Sequence, residues 1–212
     1  MYEYRKLTPE QRAELVRQRR ALGHPPHSPP HLVHGQSLYL LTAACYEHRH
    51  HMLVQRRREQ VLDELFELFV ASGVELRAWV ILPNHYHLLV CTPDFAAVGA
   101  VLRMVHGRTA RAWNLEDGEP GRQVWYRFSD RAMRFERHCY TTLNYIHYNP
   151  VKHRWVPSPY SWNESSLHWY LDHYGREWLR TLWVNYPIRT YGRGWDDCLE
   201  CRGLRRGWSA GW

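Results

Sequence analysis

From Ser37 onward the sequence predicts one compact unit of mixed helix and strand. Short apolar runs of strand length alternate with longer segments that carry an apolar stripe at helical spacing, and Gly, Pro or Asn stands where one gives way to the next. SLYLLTAAC at 37–45 reads as the first strand. Residues 56–73 read as a helix with Val61, Leu65 and Leu68 or Phe69 inward, closed by Gly73, the residue that tolerates the left-handed turn at a helix C-terminus. Residues 74–82 read as a strand, Pro83 and Asn84 interrupt it, and HYHLLVCT at 85–92 resumes antiparallel to its neighbour. A second helix is predicted over 95–114, with Val98, Val101, Leu102 and Val105 inward and Arg103, Arg108 and Arg111 facing solvent or phosphate. After the turn-rich EDGEPGR, QVWYRF at 123–128 can form a strand, and 136–148 a third helix that stops at Pro150.

The ends of the chain read differently. Residues 1–36 form an extension, with an amphipathic stretch at 9–22 followed by GHPPHSPPHLVHG, whose prolines forbid regular structure. Its four histidines lack the spacing of a metal site, so the segment reads as a His/Pro linker. Residues 37–166 then form the functional domain and 167–212 an aromatic, basic tail. Twenty-eight Lys and Arg against 21 Asp and Glu leave a formal charge of +7, which attracts polyanions. Eleven Trp and 14 Tyr interleaved with Arg suit stacking on unpaired bases, although many such rings serve only the core. Five irregularly spaced Cys make no disulfide framework, and Cys198 with Cys201 is a lone CxxC lacking the second pair of a structural zinc site. No run approaches a membrane span and the start lacks the apolar core of a signal peptide, so a soluble cytoplasmic protein is expected.

Chemistry concentrates in two short segments. In a strand, residues two apart share a face, so His85 and His87 project together with Tyr86 turned away. Two neutral imidazoles suit a divalent cation that polarises a phosphodiester. In the third helix Tyr145 and Asn149 lie four apart on one face, beside an apolar stripe of Cys139, Leu143 and Ile146. A tyrosine there can store a phosphodiester as a covalent intermediate while an amide oxygen completes the metal site. By spacing alone, the packing reading leads: Tyr145 as a core aromatic and Asn149 as a terminator before proline.

The run Leu82-Pro83-Asn84-His85-Tyr86-His87-Leu88-Leu89 resembles the P-N-H-x-H-L-L signature of the HUH single-tyrosine transposases. The run from Tyr145 to Lys152, YIHYNPVK, resembles the Y-I-H-x-N-P-V-K segment of their branch called REP-associated tyrosine transposases. The likeness extends through Asn114, Trp125, Asp130 and Arg134 and covers roughly residues 37–166. It implies an α+β, ferredoxin-like antiparallel sheet with packed helices, the HUH endonuclease fold. It also implies Mg²⁺ or Mn²⁺ held by His85, His87 and Asn149, with Tyr145 as nucleophile. The expected substrate is single-stranded DNA, a hairpin with a single-stranded flank, cut and rejoined through a 5′-phosphotyrosine by a monomer or homodimer. Arg103, Arg108, Arg111, Arg131 and Arg134 are phosphate-contact candidates. Two other readings stand beside this one: a non-catalytic binder of folded single strands, and a metal hydrolase in which water attacks. Tyr148 is the rival nucleophile, and His147 a candidate base that helix geometry points away from Tyr145. The family's usual glycine-containing stretch after the last motif is replaced by His153-Arg154-Trp155, so the exit from the helix is expected to differ.

Overall fold

The computed structural model describes residues 8–11, 14, 17, 37–193 and 195. Two compact units are present, 1–34 and 35–212. In the first, residues 9–11, 14 and 17 are helical and exposed. Thr8 and Gln11 cap this helix reciprocally, Thr8 N–H donating to Gln11 Oε1 (2.9 Å) and Gln11 N–H to Thr8 Oγ1 (3.3 Å). The His/Pro linker and the CxxC lie outside the described residues.

The second unit runs β1 (Ser37–Ala44), α1 (Gln55–Ala71), β2 (Glu75–Ile81), β3 (His85–Thr92), α2 (Phe95–Glu116), β4 (Ser129–Ala132), α3 (Glu136–Lys152) and α4 (Leu167–Asn185). The strands form one sheet in the order β2-β3-β1-β4, every pair antiparallel. This is the expected α+β, ferredoxin-like arrangement: two strand–helix–strand halves whose inner strands, β1 and β3, lie side by side.

Strand alternation divides the core in two. Tyr39, Leu41 and Ala43 of β1 join Tyr86, Leu88 and Val90 of β3 beneath Val61, Leu65 and Phe69 of α1 and Val98, Val101, Leu102 and Val105 of α2. Leu40, Val80 and Leu89 pack on the other face against Leu143, Tyr145 and Ile146 of α3 and Leu182 of α4. Gly73, at φ 66°, ends α1 as expected, its N–H donating to Val70 O and that of Val74 to Phe69 O.

Two boundaries differ from expectation. The fourth strand is not QVWYRF but the polar segment Ser129–Ala132, which pairs with residues 39–42 of β1. Trp125 makes only an isolated bridge to Cys45, because its indole is drawn into the helical layer, where Nε1 donates to Thr109 Oγ1 (3.0 Å). An edge strand is selected by its partner's open ladder, which leaves no alternation in its own sequence. Likewise α3 continues through Pro150 to Lys152. Proline forfeits one helical bond there, and burial of Asn149 and Pro150 against the sheet offsets the loss. The helix then closes with Trp155 N–H on Pro150 O (2.9 Å). Arg154 takes φ 59°, the left-handed conformation that glycine adopts most readily, so an arginine here makes the turn without one. In the tail, α4 lies on the second core through Leu182, with Trp178 and Trp183 packed alongside. No helix among the described residues is long and apolar enough to cross a membrane.

Candidate active site

β3 sends His85 and His87 to the face covered by α3, and both are buried, at 2% and 0% exposure. Each ring is held by a neighbour that the register supplies. Thr42 is the cross-strand partner of His87, and its Oγ1 lies 2.8 Å from His87 Nδ1. Asn84 precedes His85, and its Oδ1 lies 2.7 Å from His85 Nδ1. The turn carrying Asn84 is fixed in turn: Cys45 N–H donates to Asn84 O, and Met52 N–H to Pro83 O. These orienting partners leave the two Nε2 atoms directed toward α3.

There, Tyr145 and Asn149 meet them one to one. Tyr145 Oη lies 3.3 Å from His87 Nε2, and Asn149 Oδ1 lies 3.2 Å from His85 Nε2. The imidazole rings are 5.1 Å apart. The chemistry of this set fits a cation. Asn84 Oδ1 can only accept, so His85 Nδ1 carries a proton and Nε2 is the ring nitrogen that faces Asn149 Oδ1. Asn149 Nδ2, meanwhile, is buried without a hydrogen-bond partner among the described residues. Two imidazole nitrogens and an amide oxygen converging in this way match the mixed donors of a divalent metal. Among the described residues no group of three His, Cys, Asp or Glu converges.

Lys152, one helical stretch beyond Tyr145, had no role in the sequence reading. Its Nζ donates to Tyr145 Oη (3.2 Å) and to Gly192 O (2.9 Å), over the Tyr145 ring. Spacing of i to i+7 is a signal that could have found it, as two helical turns return to the same face. Tyr145 itself is 1% exposed, flanked edgewise by Tyr191 and Trp195. Gly192, at φ 71°, crosses so near that a Cβ there would stand 2.2 Å from Tyr145 Cε2. Also unanticipated is His153, whose ring lies 4.9 Å from that of His85.

The remaining candidates separate. Tyr148 turns to Trp183 (centroids 5.9 Å apart) and is 38% exposed. His147 is buried against Tyr170 and bonded to Ser166 Oγ (2.9 Å); desolvation pushes its pKa down to about 3. Among the arginines, Arg103 and Arg111 are exposed on α2, and Arg108 is paired with Glu64 (2.9 Å), all in the helical layer on the opposite face of the sheet. Arg131 stands opposite Leu40 on the histidine face, its guanidinium 4.1 Å from the centre of the Trp195 ring, and Arg134 is exposed beyond β4. Asn114 and Trp125 serve packing: Asn114 holds Arg122, and Trp125 stacks on His106.

The fold is thus an antiparallel α+β sheet that presents a His-x-His pair to a helical tyrosine and asparagine. No known family profile matches the chain. Among solved structures, that of a REP-associated tyrosine transposase bound to a REP hairpin has the same fold, with a TM-score of 0.56 over 68% of this chain and 84% of that one at 21% identity. The chain is also similar to a curated protein, the REP-associated tyrosine transposase of Escherichia coli K12. It is 27% identical over 128 residues, 54% of this chain and 72% of that protein.

Proposed function

We propose that the protein cuts and rejoins single-stranded DNA at or near hairpins, with Tyr145 as the nucleophile. The observation that supports the reading is the pairing of His85 with Asn149 and of His87 with Tyr145, which groups two imidazoles, an amide oxygen and a phenol oxygen. The homologue's name and the hairpin bound to the structural relative support DNA of this kind as the substrate.

His85, His87 and Asn149 would hold Mg²⁺ or Mn²⁺. When bound, such a cation polarises the phosphodiester and stabilises charge growing on its oxygens. Tyr145 Oη attacks phosphorus; the bond from oxygen to phosphorus forms, the bond to the 3′ oxygen breaks, the phenol gives up its proton and the 3′ hydroxyl gains one. The product is a 5′-phosphotyrosine and a free 3′ hydroxyl, and attack by a 3′ hydroxyl on that ester reverses the step, so rejoining needs no outside energy. Lys152, already donating to Oη, is placed to neutralise the phosphate as it arrives. Since Tyr145 is covered, the segment 187–193 has to shift before a phosphate reaches it.

The test is a denaturing gel with labelled hairpin DNA and Mg²⁺ or Mn²⁺. A covalent protein–DNA adduct is expected from the intact chain and none from Tyr145→Phe. An adduct of undiminished strength from Tyr145→Phe would transfer the role to Tyr148, and cleavage with no adduct in any variant would favour attack by water.

A further inference from the structure

β4 lies at an open edge of the sheet, and a row of arginines follows it. Arg127, Arg131, Arg134 and Arg137 are all exposed: before β4, on the strand, on its exit and in the first turn of α3. The register fixes where the row begins and ends. Ala44 is paired with His85 and accepts from Tyr126 N–H, so Arg127 stands at the level of the histidines; Met133 N–H donates to Leu38 O, so Arg134 stands near the other end of β1. Between them the Arg131 guanidinium lies over Trp195, whose ring is 5.6 Å from that of Tyr145. Arg57, Arg108 and Arg122 are drawn into ion pairs with carboxylates, whereas these four form none among the described residues. Their field is felt locally: burial first, and then Arg131 and Arg134, push the His138 pKa below its ordinary value.

Charge on an edge strand also discourages pairing with another chain, but this row ends beside a residue that would undo that service. Phe135 is 61% exposed, its ring 5.6 Å from that of His138. It occupies the N-cap of α3, where Ser, Thr, Asp or Asn would close the helix, and no side-chain cap is made. An exposed ring that forfeits a cap, set between Arg134 and Arg137, matches what base stacking beside a phosphate chain requires. We propose that the β4 edge is the track for the single-stranded flank of the DNA, leading from the phosphate at Tyr145 to Phe135, which stacks on one unpaired base. The assignment rests on the nuclease reading above and adds the path of the strand to it. The faces of a paired base are covered by its neighbours in the duplex, so a lone surface ring selects an unpaired base, and the arginines take the phosphates on either side. All of these groups lie on β4, its flanks and α3, so they stay in place when residues 187–193 move.

The experiment compares equilibrium binding of the full chain to a labelled hairpin with a single-stranded flank and to the same hairpin without one. The flank should raise affinity, and Phe135→Ala should cut that gain about fivefold or more, the range for one stacked base. Phe135→Trp keeps a ring and should retain the gain. An abasic nucleotide moved along the flank should cost the intact chain a similar factor at one position and cost Phe135→Ala nothing further there. Arg137→Ala should lower the salt slope for the flanked DNA by about 0.7, the single-strand value per phosphate contact. Both side chains are exposed, so each variant should fold, as thermal melting checks. A flank that adds no affinity, a gain unchanged in Phe135→Ala, or a salt slope unaltered in Arg137→Ala overturns the proposal. So does an equal loss on bare and flanked hairpins in Phe135→Ala, which would assign the edge to the duplex stem. Every readout is binding and runs equally in the Tyr145→Phe background; failure to form an adduct would remove the nuclease reading without altering the gain from the flank.

Discussion

One strand, β3, carries a histidine–tyrosine contact on each of its faces. Toward α2, Tyr86 Oη bonds His106 Nε2 at 2.7 Å; toward α3, His87 Nε2 faces Tyr145 Oη at 3.3 Å. The first pair is enclosed by aromatic rings, His106 stacked on Trp125 at 4.4 Å and Trp125 against Trp113. Burial raises the Tyr86 pKa well above its usual range and lowers that of His106 to about 4, so both stay neutral and the contact is an internal tie. The second pair adds what the first lacks: a second histidine, an amide oxygen facing it, and an ammonium on the phenol oxygen. The shorter contact is structural, and the longer one sits among groups suited to chemistry. Residue types in contact do not make a candidate site; convergence of several donors and acceptors does.

The sharpest way to break this contrast is to remove one hydroxyl from each face. Tyr145→Phe should abolish the covalent adduct, a loss of at least about a thousandfold, while hairpin binding persists. Tyr86→Phe should leave the adduct and cost stability instead, about 1–3 kcal/mol in a denaturant titration, since His106 Nε2 is stranded. Adduct loss in Tyr86→Phe at unchanged stability would merge the two faces into one machine.

Charge offers a second comparison. Arg131→Ala, on the histidine face, should weaken hairpin binding several-fold and lower the salt slope by about one, whereas Arg108→Ala, already engaged by Glu64, should change affinity by less than about twofold. Equal effects in a salt series would mean that both faces meet DNA.

The neutral His106 makes a pH prediction. Its folded pKa, about 4, lies below the unfolded value near 6.5, so the unfolded chain binds more protons as pH falls and stability drops through that window. The contribution at pH 5 is about 2 kcal/mol. His106→Gln keeps an acceptor for Tyr86 and should flatten the fall in Tm between pH 6.5 and 4; an unaltered slope would assign it to other groups. The smallest effect is expected from Arg154→Gly, which relieves a left-handed arginine but adds chain entropy to the unfolded state. Thermal melting should show a net gain of at most about 1 kcal/mol.

How much of this could be read in advance varies by residue. Val61, Leu65, Val98 and Val105 were legible because a helix repeats its inward face, and His85 and His87 because a strand repeats every second residue. The ligand and nucleophile candidates followed from two motifs whose combination local spacing alone could not interpret. Thr42 and Gly192 were not legible, whereas Lys152 stands seven residues beyond Tyr145, a spacing that the helical period does encode. Thr42 reaches His87 across a strand register, and Gly192 meets Tyr145 through a chain crossing 47 residues on in the sequence; no local period encodes either. The Ser129–Ala132 strand was hidden for the same reason, its pairing belonging to β1. The sequence by itself determined which residues are donors, nucleophile candidates and core, since those properties are intrinsic or recur with the backbone period. Only the tertiary structure decided that one His–Tyr contact is a sealed tie and the other part of a candidate site, because that depends on which distant groups surround each pair in space.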